Sequence, residues 1–198
     1  MEDRTEIRNT TFQVTANEDD EKRTVEGYAL LFGVSADNLG FEEVIERGAL
    51  DGVLGKSDVF ALLNHDRSKG ILARAKNGNG SLSLEVDSKG LKYRFEAPKT
   101  ALGNELLENL RRGEIDQSSF AFTVADGGEK WERQKNGVWK RTISKFERIY
   151  DVSPVYNAAY SKTSVYMRGK EEAEKELEER EKQNLEEYYK GINNSLNI

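Results

Sequence analysis

The sequence predicts a β-rich α+β domain, mostly antiparallel and barrel-like with a few helices, followed by a charged C-terminal helix. Short β-type runs recur between residues 24 and 152, and turn residues separate them. One amphipathic helical pattern interrupts these runs near residue 100. After Gly169 the composition changes to charged helix formers. We therefore divide the chain into residues 1–168, a folded domain, and residues 169–198, a helical tail.

Gly and Asn mark the turns between the predicted strands. Both residues accept the positive φ angles that tight hairpin turns require. The segments 77–80 (NGNG), 87–90 (DSKG) and 136–137 (NG) are therefore predicted hairpin turns. Many short strands joined in this way are typical of a closed or partly closed barrel. The predicted strands are residues 24–32, 58–64, 72–75, 81–86, 91–96, 117–124 and 143–152.

A helix is predicted over residues 99–112. Thr100 is a suitable N-cap, because its side-chain oxygen can accept a hydrogen bond from a backbone amide of the first turn. Gly113 is a suitable residue just beyond the C-terminus, where a left-handed conformation often ends a helix. The apolar face is formed by leucines spaced four residues apart, namely Leu102, Leu106 and Leu110.

Residues 170–190 carry most of the net charge. This segment has nine acidic and five basic side chains, so it contributes −4 to the net charge of −6 and leaves −2 for the rest of the chain. Its residues are strong helix formers with few apolar anchors. The simplest interpretation is a solvated helix or a frayed tail. A contact helix, or a linker to a partner, is the alternative.

Composition excludes several classes of chemistry. The chain has no cysteine and one histidine, His65, which excludes disulfides, thiol catalysis, cysteine zinc sites and multi-histidine metal sites. We expect no metal and no cofactor. The acidic balance argues against nucleic-acid binding. No apolar run approaches the ~20 residues of a membrane span, and the N-terminus does not read as a signal peptide, so we expect a soluble cytosolic protein.

His65 is the first candidate for chemistry. It follows an apolar run, and alternation places it on one face with Ala61 and Leu63. A lone histidine there is by default a surface or structural residue. The functional interpretation is a general base, because imidazole exchanges a proton near neutral pH.

A base of this kind needs a nucleophile, and without cysteine the candidate is Ser or Thr. In the predicted strand 117–124, Ser118 shares a face with Phe120 and Phe122, which must be the core face. Ser119 lies on the other face beside the small residue Ala121. Alternation therefore selects Ser119 as the exposed hydroxyl. The alternative is an ordinary strand serine.

A third group should orient the base. The strand 143–152 offers Glu147 and Asp151 on one face, and either could hold the imidazole tautomer. Asp66 is a poorer orienter, because adjacent strand residues point apart. The alternative is a solvated, charged strand face. The residues by themselves predict no more than a β-rich domain with one Ser–His pair.

Between residues 25 and 168, a series of short segments occurs in a particular order and spacing. The segments are VEGYALLF, FEEVIERGAL, VFALLNHDRSKGILARA, GSLSLEVDSKGLKYRFEAP, LLENLRRGEIDQSSFAF and IYDVSPVYNAAYSKTSV. This series resembles the prohead proteases of tailed bacteriophages, serine proteases of capsid maturation distantly related to herpesvirus assemblin. The chain departs from the family at Ala121, where glycine is usual, and at 156–159, where the family has Thr-x-Pro-Ala.

The resemblance implies a herpesvirus-protease-like fold and a set of site residues. The match to the family's NHD segment implies His65 as the base, and the match to its serine motif implies Ser119 as the nucleophile. The closing motif implies Asp151 as the orienter, with Glu147 as the alternative. Assemblins hold the oxyanion with a backbone amide and an arginine-bound water, for which Arg141 or Arg133 are the candidates.

The resemblance also implies a function. It is that of a serine endopeptidase that cleaves scaffold, or the scaffold-like segment of the major capsid protein, and itself near the tail after Arg168. The expected place is the assembling prohead in the cytoplasm of a bacterial host. A homodimer is expected by analogy, with no nucleic acid, membrane or cofactor. The alternatives are a non-enzymatic capsid assembly protein of the same ancestry and an esterase.

Overall fold

A computed structural model describes residues 4–10, 14–16, 23–33, 39–156 and 164–196 of the chain. The chain divides into two compact units, residues 1–162 and residues 163–198. The second unit contains one long helix, α2 (Ser164–Leu196), in agreement with the predicted helical tail. That residues 1–168 form the functional domain and residues 169–198 a separate tail stays a prediction. Within the described part of the chain, no helix combines the length and apolar character that crossing a membrane requires.

The first unit consists mostly of short β-strands. One α-helix, α1 (Ala101–Arg111), and two 3-10 turns at Arg47–Leu50 and Arg67–Lys69 accompany them. The strands are β1 (Glu6–Thr10), β2 (Thr15–Ala16), β3 (Thr24–Leu31), β4 (Glu42–Ile45), β5 (Asp58–Ala61), β6 (Ala73–Lys76), β7 (Asn79–Gly80), β8 (Leu82–Val86), β9 (Gly90–Glu96), β10 (Gln117–Val124), β11 (Glu129–Arg133), β12 (Trp139–Ile143) and β13 (Phe146–Val155).

These strands form three sheets. The largest has the order β1-β10-β13-β5-β6-β7, the second β2-β3-β9-β8, and the third β11-β12-β4. Pairing is antiparallel except between β13 and β5 and between β12 and β4. The prediction of a β-rich, mostly antiparallel domain with a few helices is therefore confirmed. The expectation of a closed barrel is not, because among the described residues each sheet has two end strands that do not pair with one another.

The predicted helix forms close to the predicted bounds. The Thr100 side chain accepts a hydrogen bond from the Gly103 amide at 3.2 Å, which confirms the N-cap. Leu106 and Leu107 are buried, so the apolar face of the helix joins the core. Gly113 follows with a φ of 71°, the left-handed conformation that ends the helix.

Strand β10 runs through the middle of the core. Phe120 and Phe122 stack at 4.8 Å, and Phe146 of β13 meets the Phe122 ring edge-on at 5.0 Å. Six consecutive residues of β10 are buried, so both faces of the strand are covered. Strands β1 and β13 pair with its two edges. This burial on both faces matters for Ser119.

Candidate active site

The three residues that the resemblance singles out come from neighbouring parts of the large sheet. Ser119 lies on β10 and Asp151 on β13. The antiparallel register pairs Ser119 with Ser153 and Ala121 with Asp151, so the Ser119 and Asp151 side chains lie on one face of the sheet. Strand β5 pairs in parallel with β13 beside Asp151, and the chain that leaves β5 carries His65.

A tight turn after β5 positions His65. Asn64 and His65 both have positive φ angles, 54° and 58°. This conformation is uncommon outside glycine and costs about 1–3 kcal/mol for each residue, so the surrounding structure must hold it. Two backbone hydrogen bonds do so, from the Leu62 amide to the Val152 carbonyl at 3.3 Å and from the Asn64 amide to the Pro154 carbonyl at 3.0 Å. Strain of this kind is often found at functional sites.

The imidazole of His65 contacts both of the other residues. Nδ1 lies 2.6 Å from Oδ1 of Asp151, and Nε2 lies 2.6 Å from Oγ of Ser119. With Nδ1 donating its proton to the ionised Asp151, Nε2 is left to accept the proton of the Ser119 hydroxyl. This order of acid, base and hydroxyl is the arrangement by which serine hydrolases activate a nucleophile. The His65 side chain is 18% exposed, so it lies at the margin of solvent.

Ser119 is completely buried, so the prediction of an exposed hydroxyl is wrong. Alternation assumes one covered and one open face, whereas β10 is covered on both. Strand β1 lies alongside with Asn9 opposite Ser119, and the Arg8 carbonyl oxygen is 2.9 Å from Oγ of Ser119. The single hydroxyl proton therefore has two acceptors, the Arg8 carbonyl and Nε2 of His65.

Glu147 lies apart from this arrangement. It is exposed, whereas Asp151 is buried. The pairing of β13 with β10 has two register shifts, so that Ile149 pairs with Phe122 and Asp151 with Ala121. These bulges place Ile149 towards the core and Asp151 on the Ser119 face. Plain alternation, which groups Glu147 with Asp151, does not account for such shifts.

The two arginine candidates for the oxyanion lie elsewhere in the sheets. Arg133 is an exposed residue of β11. Arg141 of β12 is 1% exposed, and its guanidinium contacts Glu6 at 2.7 and 2.8 Å, Glu43 at 2.8 Å, and also Glu129. An oxyanion role for either arginine stays a prediction. The contacts give Arg141 a structural task.

Arg141 belongs to a buried ionic cluster, which we define as Glu6, Arg8, Glu43 and Arg141. Arg8 hydrogen-bonds Glu43 at 2.6 and 2.8 Å and Glu6 at 2.7 Å. The cluster thus joins β1 of the large sheet to β4 and β12 of the small one. Burial alone would raise the pKa of Glu6, but the hydrogen bonds and charges of Arg141 and Arg8 outweigh it and hold that pKa below its ordinary value of 4.5.

The described residues contain no group of three or more His, Cys, Asp or Glu side chains placed to hold a metal ion. The arrangement at His65 consists of a hydroxyl, an imidazole and a carboxylate. Its chemistry is proton transfer between a hydroxyl and an imidazole whose orientation a carboxylate fixes.

Comparisons with known proteins give the family. Among solved structures, the bacteriophage T4 capsid assembly protease is similar, with 12% identity, a TM-score of 0.46, and coverage of 78% of this chain and 100% of that one. No curated protein matches the chain. Residues 10–179, most of the chain, match the family model of the Caudovirus prohead serine protease. The chain therefore belongs to the Caudovirus prohead serine proteases, the family of serine peptidases of phage capsid maturation that its sequence resembles.

Proposed function

We propose that this capsid maturation protease is an endopeptidase that uses Ser119, His65 and Asp151 to cleave the scaffold or the scaffold-like segment of the major capsid protein. The observation that carries the proposal is the imidazole of His65, which contacts Oγ of Ser119 and Oδ1 of Asp151 at 2.6 Å each. Membership of the family supports peptide hydrolysis as the reaction, and this geometry supports Ser119, His65 and Asp151 as the residues that carry it out.

The reaction proceeds in two stages. Oγ of Ser119 attacks the scissile carbonyl carbon while Nε2 of His65 takes the hydroxyl proton, and that proton then passes to the leaving amine. Water deprotonated by His65 hydrolyses the acyl-enzyme and regenerates the free hydroxyl. Asp151 remains ionised throughout, holds the ring in the required tautomer and stabilises the imidazolium.

Productive turnover sets a condition on the Arg8 carbonyl. The Ser119 proton must lie towards Nε2 of His65 when the hydroxyl attacks, so the bond from Oγ to the Arg8 oxygen has to give way. A substrate also has to reach a serine that is fully buried. The groups that bury Ser119, including the Arg8 carbonyl of β1, therefore move during the catalytic cycle.

Other parts of the proposal rest on the family resemblance. They are a fold relationship to the herpesvirus proteases, self-cleavage near the tail after Arg168, assembly as a homodimer, and action inside the prohead in the bacterial cytoplasm. Support of the oxyanion by Arg141 or Arg133 is also part of it.

Co-expression with the major capsid protein of the same phage tests the proposal. The wild-type chain is expected to yield a shortened capsid band, and Ser119→Ala and His65→Ala are each expected to leave the capsid protein at full length. Circular dichroism of the purified variants checks that the fold persists. Capsid processing at the wild-type rate by either folded variant would show that the assignment of these residues is wrong.

The second candidate is a non-enzymatic assembly protein of the same ancestry, which the charged helix α2 favours as a contact element. It predicts a full-length capsid protein with the wild-type chain and co-purification of the two proteins. The same co-expression therefore separates the two functions.

A further inference from the structure

Ser153 contacts the carboxylate that orients the base. It lies on β13 two residues after Asp151 and is completely buried. Its Oγ lies 2.7 Å from Oδ1 of Asp151, the same oxygen that contacts Nδ1 of His65 at 2.6 Å. Two side chains therefore meet at one carboxylate oxygen.

The direction of this hydrogen bond follows from the chemistry of the groups. An ionised carboxylate accepts and never donates, so the Ser153 hydroxyl is the donor. Bonds from a hydroxyl to a charged acceptor are stronger than bonds between neutral groups. The terminal torsion of an aspartate side chain is broad and has no sharp rotamer of its own. A second donor on Oδ1 therefore fixes the rotation of the Asp151 carboxylate that faces His65.

The contact is unlike that of another buried serine beside the same strand. Oγ of Ser57 donates to the backbone carbonyl of Val53 at 2.9 Å and accepts from the backbone amide of Ile149 at 3.3 Å. Backbone partners of that kind are the usual solution for a buried hydroxyl. Ser153 instead donates to the side chain of Asp151 and is paired with Ser119 in the strand register.

We propose that Ser153 is a positioning residue of the active site, which acts through Asp151 to hold the His65 ring in line with Ser119. This inference rests on the proposed function of the three residues. Loss of the Ser153 hydroxyl frees the carboxylate to rotate and lowers the fraction of enzyme in which Nε2 faces Oγ of Ser119. The chemical step slows as a result, while substrate binding is unchanged.

Kinetics on a peptide that spans the capsid cleavage junction test the proposal, with the junction found by N-terminal sequencing of the shortened band. Ser153→Ala is expected to lower kcat about 10- to 100-fold, the equivalent of one hydrogen bond to a charged group, with KM unchanged. The matched control is Ser57→Ala, which also removes a buried hydroxyl that contacts β13 and is expected to keep the wild-type kcat. Ser153→Thr retains the hydroxyl and is expected to keep kcat near the wild-type value. Ser153→Val has the shape of threonine without the hydroxyl and is expected to match Ser153→Ala.

A double-mutant cycle with Asp151→Asn separates positioning from packing. If Ser153 acts through Asp151, adding Ser153→Ala to Asp151→Asn produces little further loss of kcat. An equal loss in both backgrounds would overturn the inference, and so would a wild-type kcat for Ser153→Val. Failure of the underlying function is a different result, because folded Ser119→Ala would then still cleave the peptide.

Discussion

Two groups of polar side chains lie close to strand β1, and they differ in what they can do. The site of His65, Ser119 and Asp151 is a chain of hydrogen bonds that ends in a hydroxyl proton and includes a partly exposed imidazole. The ionic cluster holds two carboxylates and two guanidinium groups that contact one another directly. The first arrangement can pass a proton, whereas the contacts of the second join strands β1, β4 and β12.

Arg8 connects the two groups. Its side chain belongs to the ionic cluster, while its backbone carbonyl accepts from Ser119. The comparison teaches that burial and charge alone do not identify an active site. An imidazole that contacts a hydroxyl and lies close to solvent distinguishes the candidate site from the ionic cluster.

The largest expected effect is a difference in kcat between alanine variants of two neighbouring serines, Ser119 and Ser118. Ser119→Ala is expected to lower kcat for peptide cleavage on the order of 10⁶-fold, because the nucleophile is lost. Ser118→Ala is expected to keep kcat and to lower the free energy of unfolding by about 1–3 kcal/mol, since the buried Tyr93 hydroxyl loses its partner at 2.6 Å. Steady-state kinetics and urea unfolding of both variants measure this. Equal effects of the two variants on kcat would remove the distinction between the serines.

The next effect concerns the two carboxylates of β13. Asp151→Asn is expected to lower kcat about 10⁴-fold, because an amide cannot hold the productive tautomer of His65. Glu147→Gln changes an exposed residue and is expected to leave kcat and stability unchanged. Peptide cleavage at matched enzyme concentrations gives the comparison. A loss with Glu147→Gln as large as that with Asp151→Asn would assign the orienting role to Glu147 instead.

A charge removed from the ionic cluster should reduce stability. Arg141→Met leaves Glu6 and Glu43 with Arg8 as their shared partner but removes the second guanidinium that both contact, and it is expected to lower the free energy of unfolding by about 3–5 kcal/mol. The control Arg133→Met alters an exposed arginine and should change stability by less than about 0.5 kcal/mol. The kcat of the folded fraction tests whether Arg141 also supports the oxyanion. A 10²- to 10³-fold loss of kcat would mean that Arg141 also supports the oxyanion.

The smallest effect is a dependence of stability on pH. Because the pKa of Glu6 in the folded state lies below its ordinary value of 4.5, Glu6 stabilises the fold fully above that value, and this contribution is lost as the pH falls through the folded-state pKa. Urea unfolding between pH 6 and 3 should therefore show decreasing stability for the wild type. Glu6→Gln should flatten this slope. An unchanged slope in the variant would mean that other carboxylates carry the acid dependence.

Local sequence signals predicted part of this molecule, and the reasons for the failures are physical. The capping threonine at Thr100 and the leucine spacing gave helix α1, since both signals are local. The faces of β13 were not predictable, because register shifts depend on the partner strand. The left-handed turn at Asn64 and His65 has no glycine to mark it.

Contacts between residues far apart in the chain were also not predictable from the sequence. The bonds between Glu6 and Arg141 join residues 135 positions apart, and no periodicity links them. Composition still contributed to the site, since a chain with no cysteine and one histidine leaves His65 with a serine as the main route to nucleophilic chemistry. The choice of Asp151 as the candidate orienter came from the family resemblance.

The chain's single histidine permits the most direct test of the central claim, that His65 bridges Asp151 and Ser119. In a nitrogen-labelled sample, all imidazole signals in the NMR spectrum come from this one residue. We expect a protected, strongly downfield Nδ1 proton that disappears in Asp151→Asn, and an Nε2 signal that shifts in Ser119→Ala. An imidazole whose protons exchange freely with water, and whose signals are the same in both variants, would show that His65 does not bridge Asp151 and Ser119.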